Sequence, residues 1–268
     1  MLFIFSKNFL MQKDRSILGL SLLCIFVFFA CKAPDQKRYT LEGSVILLDS
    51  MNVPETDEEQ ERIILEYRES LKADMSRVLV HSEHVMERGS PEGKLNNFVA
   101  DLVFDIGKEI YQPDDGKAID FCLLNYGGLR VPLPKGEITY ERVFELLPFE
   151  NEMVVITLTG EKTSELFHYL AASERGMPVS GIRLKIKDNE PYEVLINENE
   201  FDINKSYKVL TSDYLAGGGD HMNFFLQPVN YELLGMRVRD AIIMHMQRVN
   251  EEGKKIRSEF DGRISVAD

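Results

Sequence analysis

Three short segments of the chain combine glycine or proline with aromatic, amide and charged side chains. They are Asn125–Arg130 (NYGGLR), Leu147–Asn151 (LPFEN) and Ser212–Asp220 (SDYLAGGGD). Glycines let a backbone approach a ligand closely, aromatic rings stack on flat groups, and arginine and carboxylate groups bind anions and hydroxyls. Turn chemistry alone also explains each segment taken singly, because Gly-Gly, Pro-Phe and Gly-Asp are common in loops. Whether the segments form a binding site therefore depends on the helices and strands that position them.

Hydrophobic periodicity predicts intermixed helices and strands within residues 41–268. Apolar residues spaced by three and four predict helices at 57–74, 93–111, 139–147, 161–172 and 235–250. Apolar or alternating runs predict strands at 77–86, 118–124, 153–159, 182–187, 192–196, 206–212 and 263–266. This pattern predicts a single α/β (α+β) domain with a mixed β-sheet and flanking helices.

The composition excludes several classes of protein. With 31 Lys and Arg against 44 Asp and Glu, the 268-residue chain carries a net charge of −13, which disfavours binding to nucleic acid. A content of 44% hydrophobic and 28% charged residues is typical of a folded globular protein. Three cysteines are too few for a disulfide framework, and Cys122, within an apolar run, is predicted to be buried and inert.

Residues 1–30 are predicted to be an export signal. A basic stretch at 7–15 precedes an apolar run at 17–30, which is shorter than the roughly 20 residues of a membrane-spanning helix. The run ends at Cys31 and the sequence then turns polar, which resembles a bacterial lipobox. That resemblance implies cleavage before Cys31, lipidation of its sulfur, a tether at 31–40 and a membrane-anchored location in the cell envelope.

Two alternatives remain open for this N-terminal region. Met11 directly precedes a charged tetrapeptide and could be the true start in place of Met1. An ordinary signal peptide that happens to contain two cysteines would carry no lipid.

The three segments, in this order and spacing, resemble the C-terminal domain of the 5'-nucleotidase family. The family pattern includes Asn-Gly-Gly-x-x-Arg, Leu-Pro-Phe-x-Asn and Phe-x-x-x-Gly-Gly-Asp-Gly, and Tyr214 stands at the phenylalanine of the last motif. Asn96–Asp101 and Ser180-Gly181 match two further elements of the pattern, so the resemblance spans roughly residues 60–268. It implies the fold of that domain and a site for a nucleotide or nucleoside.

The resemblance implies base-binding roles for four residues. Phe149 and Tyr214 match the two aromatic residues that enclose the base, a contact that every base can make. Asn151 matches the amide that lies beside the base, and Gly181 matches the glycine that leaves room next to it.

Ribose and phosphate roles follow from the same resemblance. Asp220 matches the carboxylate that accepts hydrogen bonds from the ribose hydroxyls, and Asn125 and Arg130 match residues near the ribose and phosphate. The basic residue that the family places before the helix is absent here, with Arg88 the nearest arginine, which weakens the expectation of phosphate binding. His221, where the family has glycine, could compensate in part or be an ordinary surface residue.

In the family a separate metallophosphatase domain performs the chemistry with two metal ions and an activated water. The chain's histidines, His81, His84, His168, His221 and His245, do not occur in the ligand motifs of that domain. We therefore expect no catalytic residue, metal or cofactor in this chain, and divalent metals only in a metallophosphatase partner acting in trans. His81 and His84 are a weak alternative metal site, since no further ligand accompanies them.

These observations predict a nucleotide-binding, specificity-determining component of a 5'-nucleotidase-type phosphohydrolase that serves nucleotide catabolism and is inactive alone. The alternative is a non-catalytic nucleotide- or nucleoside-binding lipoprotein of the envelope. A third reading is a fold that persists after its binding site has decayed.

Overall fold

The computed structural model describes residues 43–45 and 58–267. The helices and strands that it describes belong to one compact unit, Asp57–Asp268. Within the described ranges, no helix is long and apolar enough to cross a membrane. The signal at 1–30, the lipidation site Cys31 and the tether at 31–40 lie outside the described residues and stay predictions.

All predicted helices and strands are present among the described residues in the predicted order, together with one short α-helix and four strands that were not predicted. The helices are α1 (Glu58–Met75), α2 (Lys94–Ile110), α3 (Tyr140–Leu146), α4 (Gly160–Ala172), α5 (Asp213–Ala216) and α6 (Val238–Glu251). The strands are β1 (Val78–Ser82), β2 (Phe121–Leu123), β3 (Gly136–Thr139), β4 (Glu152–Thr159), β5 (Val179–Ser180), β6 (Ile182–Lys187), β7 (Glu190–Ile196), β8 (Asn199–Glu200), β9 (Ser206–Ser212), β10 (Asn230–Arg237) and β11 (Ile264–Val266).

The strands form three sheets. The central sheet has the order β10–β4–β9–β2–β5, in which β2 and β9 are parallel and the other pairs are antiparallel. A second sheet has the order β11–β6–β7–β8, with β11 parallel to β6, and β1 pairs with β3 alone. The α/β class with mixed strand directions is confirmed. The division into three sheets was not predicted, because periodicity reports which side chains are buried and not which strands pair.

Both faces of the central sheet are buried. Along β4, Met153 and Val155 belong to one hydrophobic cluster, whereas Val154 and Ile156 belong to the other, because successive strand side chains point to opposite faces. Helices α2 and α6 contribute to the first cluster, and α4 and the second sheet contribute to the second. Cys122 is fully buried, as predicted, and its burial raises the pKa of the thiol well above its ordinary value.

The region before α6 differs from the prediction. A helix was expected from residue 235, but β10 continues to Arg237 and the helix begins at Val238. Strand β10 lies at the sheet edge, and Leu233 is 62% exposed while the neighbouring Leu234 packs on the core. With apolar residues on both faces and Gly235 at a φ of +67°, the segment lacks the alternation that identifies a half-buried strand.

A buried arginine fixes the last strand to the rest of the domain. Arg263 donates from both terminal nitrogens to the carboxylate of Asp101 on α2, at 2.6 and 2.9 Å, and it also pairs with Asp261. The hydroxyl of Ser180 on β5 donates to the same Asp101 at 2.7 Å. A paired and hydrogen-bonded charge of this kind is tolerated inside a protein. It joins α2, β5 and the start of β11.

Candidate functional site

A cavity of about 270 Å³ lies where the three segments meet. It is lined by Asn125, Gly127, Arg130, Phe149, Asn151, Tyr214 and Asp220. With the exception of Gly181, every residue that the sequence analysis selected for nucleotide binding is therefore in one place. Asn125 and Asp220 are hydrogen-bonded although they are 95 positions apart in the chain, so the fold and not local sequence creates this site.

The strand directions of the central sheet explain the convergence. Because β2 and β9 are parallel neighbours, with Cys122 opposite Leu210, the segments that follow them leave from the same edge. Strand β4 is antiparallel to β9, with Met153 opposite Ser212, so β4 begins at that edge. The Leu147–Asn151 segment immediately precedes β4 and therefore lies beside the other two segments.

A buried arginine that the sequence analysis missed holds the Phe149 segment. The side chain of Arg239, at the start of α6, is 4% exposed. Its Nη1 donates to the backbone carbonyls of Leu147 at 3.3 Å and Phe149 at 3.4 Å, and its Nη2 donates to Glu150 at 2.9 Å. The guanidinium also lies 4.1 Å from the centroid of the Phe144 ring. The carbonyls of a proline turn have no hydrogen-bond donor in a neighbouring strand, so the arginine N–H groups serve as their donors.

The same arginine acts on the charge of its partner. The hydrogen bond from Arg239 holds the pKa of Glu150 below its ordinary value, with a further contribution from the nearby charge of Arg237. Glu150 is therefore ionised at neutral pH and neutralises the arginine. The one sequence signal that could have indicated this pair is an arginine at the first turn of a helix, where a cation is unfavourable unless it has a partner.

Asp220 is held by three side chains. Asn125 Nδ2 donates to Asp220 Oδ2 at 2.8 Å, and the Tyr214 hydroxyl donates to Oδ1 at 2.9 Å. The same hydroxyl accepts from the Asp220 backbone N–H at 3.2 Å, and the Tyr169 hydroxyl donates to the Asp220 backbone carbonyl at 3.1 Å. The hydrogen bond to Asp220 raises the pKa of Tyr214 above its ordinary value. The carboxylate thus has a defined orientation at the cavity wall.

Two glycines are required by contacts within the protein itself. A Cβ atom on Gly219 would lie 2.5 Å from the Tyr214 ring, and one on Gly128 would lie 2.8 Å from Asn125 Oδ1. Such distances are too short for carbon atoms, so any larger residue would displace the neighbouring side chain. The absence of a side chain at Gly219 and Gly128 therefore leaves the space that Tyr214 and Asn125 occupy.

The aromatic and cationic side chains of the cavity are accessible to solvent. Phe149 is 42% exposed and Tyr214 is 45% exposed, so both rings are open to a ligand in the cavity. Arg130 is exposed and is the arginine that lines the cavity among the described residues. Arg88 is instead committed to Tyr126, whose ring it covers at 4.4 Å and whose carbonyl it contacts at 3.3 Å.

Gly181 does not lie at this cavity. It follows β5 with a φ of +85°, and a Cβ atom there would lie 2.9 Å from the backbone oxygen of Asp120 and 3.1 Å from the Phe104 ring. It lines a different cavity, next to Asp101 and Arg263. The structure therefore accounts for this glycine by its backbone conformation and by the close packing of β5, and not by room beside the cavity of Phe149 and Tyr214.

His81 and His84, the weak alternative metal site, lie beside ordinary protein partners. His84 Nε2 is 2.9 Å from the carbonyl of Ser258, and His81 Nε2 is 4.0 Å from Glu137. His221 is exposed and lines a neighbouring cavity of about 640 Å³ that shares Tyr214 and Asp220 with the first. In the part of the chain that the structure describes, no group of three or more His, Cys, Asp or Glu residues could hold a metal ion.

Comparisons with known proteins find one family. The sequence model described as "5'-nucleotidase, C-terminal domain" matches residues 77–227, more than half of the chain. The trifunctional nucleotide phosphoesterase protein YfkN of Bacillus subtilis is 29% identical over 197 residues, which are 68% of this chain and 13% of that protein. Protein UshA of Escherichia coli is 30% identical over 113 residues, 40% of this chain and 20% of its own length.

A solved structure agrees in fold. The crystal structure of a 5'-nucleotidase precursor from Thermus thermophilus superposes with a TM-score of 0.65 at 22% identity, covering 78% of this chain and 43% of that one. The aligned region thus spans only a minor part of each of these three relatives.

The role of Arg239 can be tested with a pair of conservative variants. Arg239→Lys keeps the charge but removes the planar fork that reaches both carbonyls, so we expect the free energy of unfolding to fall by about 1–3 kcal/mol. Arg237→Lys is the matched control, because Arg237 pairs with the same Glu150 but its side chain is 46% exposed, and we expect a change below about 0.5 kcal/mol. Denaturant unfolding of both variants measures the difference, and equal effects would contradict the assigned role.

Proposed function

The chain belongs to the 5'-nucleotidase C-terminal domain family, and from this premise we propose that the cavity of Phe149 and Tyr214 binds a nucleotide or nucleoside. The observation that carries the proposal is the convergence of three separate loops on one cavity with two exposed aromatic rings, two amides, a carboxylate and an arginine. Each group is of the type that a nucleotide requires, and the strand pairing brings all of them to one sheet edge.

Each part of the ligand has a suitable partner in this proposal. The base stacks on Phe149 and Tyr214, with the Asn151 amide at its edge, since stacking on flat rings is available to every base. The ribose hydroxyls donate to Asp220, whose carboxylate oxygens are acceptors. In this proposal Arg130 binds the phosphate, and it acts locally because the net charge of −13 repels anions from the protein as a whole.

Removal of one aromatic ring tests binding. We expect Phe149→Ala to weaken the affinity for AMP by about five- to 150-fold, because stacking on one side chain contributes about 1–3 kcal/mol. Phe260→Ala is the matched control, since Phe260 is 61% exposed and does not line the cavity. Titration calorimetry with AMP, adenosine and UDP-glucose measures both variants.

The calorimetric outcomes separate the hypotheses. The proposed site is supported if the unmodified protein and the Phe260→Ala variant both give heat of binding and the Phe149→Ala variant gives little or none. An absence of heat with every ligand would reject it and would favour a fold whose site has decayed. Equal affinities of the two variants would place binding elsewhere on the protein.

We further propose that this chain is the substrate-specificity component of a 5'-nucleotidase-type phosphohydrolase, and that a metallophosphatase protein acts with it in trans. The support is that the relatives extend well beyond the shared region, which is 13% of YfkN and 20% of UshA. Metal-assisted hydrolysis needs a cage of metal ligands and an activated water, and in this proposal the partner provides both.

Reconstitution from two proteins tests whether this chain binds the nucleotide and a metallophosphatase hydrolyses it. We expect this chain alone to release no phosphate from AMP with added divalent cations, and a mixture with a metallophosphatase that co-purifies with it to release phosphate. The Phe149→Ala variant in the same mixture should be slower, which ties the gain to this chain. Phosphate release by the chain alone would refute the proposal, and tight AMP binding without any gain in the mixture would favour a non-catalytic envelope binding protein.

We also propose that the chain is held in the cell envelope by a lipid on Cys31. The supporting observation is the switch from an apolar run to polar residues directly at this cysteine. Acyl chains on this cysteine would favour the membrane by about 0.8 kcal/mol for each buried CH₂ group, and two or more chains make a stable anchor.

A pair of cysteine variants tests the anchor. Cys31→Ala should lose radiolabelled palmitate and leave the membrane fraction, whereas Cys24→Ala, the other cysteine of the same region, should keep both. Labelling that survives Cys31→Ala would refute the assignment, and an absence of label in the unmodified protein would indicate an ordinary signal peptide.

A further inference from the structure

We propose that the hydroxyl of Tyr214 is a specificity-determining group, which holds the Asp220 carboxylate in position to bind the vicinal hydroxyls of a ribonucleoside. The inference rests on the proposed function, since it concerns the sugar contact of the same cavity. It extends that function because stacking needs only the ring: a phenylalanine at this position could stack on a base but could not form these hydrogen bonds.

The backbone of Asp220 needs support to present its side chain. Three consecutive glycines, Gly217–Gly219, precede it, and such a run has many accessible conformations. Asp220 itself has a φ of +53°, in the left-handed region that non-glycine residues rarely adopt. A residue in this conformation persists when surrounding contacts hold it.

The Tyr214 hydroxyl supplies two of those contacts at once. It accepts from the Asp220 backbone N–H at 3.2 Å and donates to Oδ1 at 2.9 Å, so it fixes both the main chain and the rotation of the carboxylate. Asn125 and Tyr169 hold the remaining Oδ2 and backbone carbonyl. Replacement of the tyrosine hydroxyl by hydrogen would leave two of the four polar groups of Asp220 without these partners.

The held carboxylate retains capacity for a ligand. An ionised carboxylate has about four lone-pair sites, two on each oxygen. Tyr214 occupies one site on Oδ1 and Asn125 one site on Oδ2, so each oxygen keeps one site for a further donor. Two neighbouring acceptors match the two hydroxyls of a cis-diol, which a ribose carries and a 2',3'-dideoxyribose lacks.

The ring and the hydroxyl of Tyr214 form one rigid unit. The ring lies against the backbone of Gly219, where a Cβ atom would be only 2.5 Å away, and the hydroxyl is fixed to Asp220. The surface that stacks on the base is therefore tied directly to the group that binds the sugar. The Tyr214 hydroxyl and a ligand hydroxyl would both donate to Oδ1 of Asp220. In this proposal the gain from holding the carboxylate in position outweighs that competition, because preorganised acceptors lose less freedom when a ligand binds.

A matched pair of nucleosides on a matched pair of variants tests the inference. Adenosine and 2',3'-dideoxyadenosine carry the same base, so their affinity ratio reports the diol contact alone. In Tyr214→Phe we expect adenosine to bind about five- to twentyfold more weakly and the dideoxynucleoside to change by less than about twofold, because the Asp220 carboxylate is no longer held in position for the diol while the stacking ring remains. Tyr192→Phe, at a tyrosine that is 68% exposed outside the cavity, should leave both affinities unchanged.

The outcomes distinguish this inference from the proposed function. If the ratio of the adenosine affinity to the dideoxyadenosine affinity is unchanged or larger in Tyr214→Phe, while binding still depends on Phe149, the role of the hydroxyl is overturned. The proposed nucleotide site would remain supported by that result. Equal weakening of both nucleosides would show that the hydroxyl supports the loop without selecting the sugar, which also overturns the inference. A failure of the unmodified protein to bind either nucleoside, AMP or UDP-glucose would reject the proposed function itself.

Discussion

The candidate site depends on the pairing of three central strands. Strand β9 lies between β2, which is parallel to it, and β4, which is antiparallel, so that two strands end and one begins at the same edge. Both faces of β4 pack on a hydrophobic cluster, so a slip by one residue would exchange the side chains that fill the two clusters and disrupt the close packing of both. The core that stabilises the domain therefore also determines which loops meet.

Loops that meet at a sheet edge need fastening, and here polar side chains provide it. Arg239 donates to the carbonyls on either side of Pro148, and Tyr214, Asn125 and Tyr169 together hold Asp220. The bonds from Arg239 and Tyr169 to backbone carbonyls replace ladder hydrogen bonds that irregular backbone lacks. In this arrangement Phe149 and Tyr214 stay partly exposed, whereas most large apolar side chains of the domain are buried.

Helices and strands with a clear hydrophobic period were predictable, whereas the outermost strand β10 of the central sheet was not. The helix α2 and the strands β6 and β9 lie where their spacing predicts them, because each has one well-defined apolar pattern. Strand β10 was missed, and the helix was started too early at 235, because an edge strand with one partner has no strict alternation to preserve. Cys122 was correctly predicted to be buried, since an apolar run around a small sulfur-containing side chain has few other places in a fold.

The sequence by itself determined the chemistry that is available and the family to which the chain belongs. Residue types and their order along the chain carry that information, and glycine, proline and aromatic residues in loops are specific enough to reveal it. Only the tertiary structure decided which of those residues share a cavity. It brought together Asn125, Arg130, Phe149, Asn151, Tyr214 and Asp220, placed Gly181 elsewhere, and introduced Arg239 and Tyr169, which no motif had indicated. The physical reason is that contacts between loops follow from strand direction and register, which are properties of the whole sheet and have no local sequence signal.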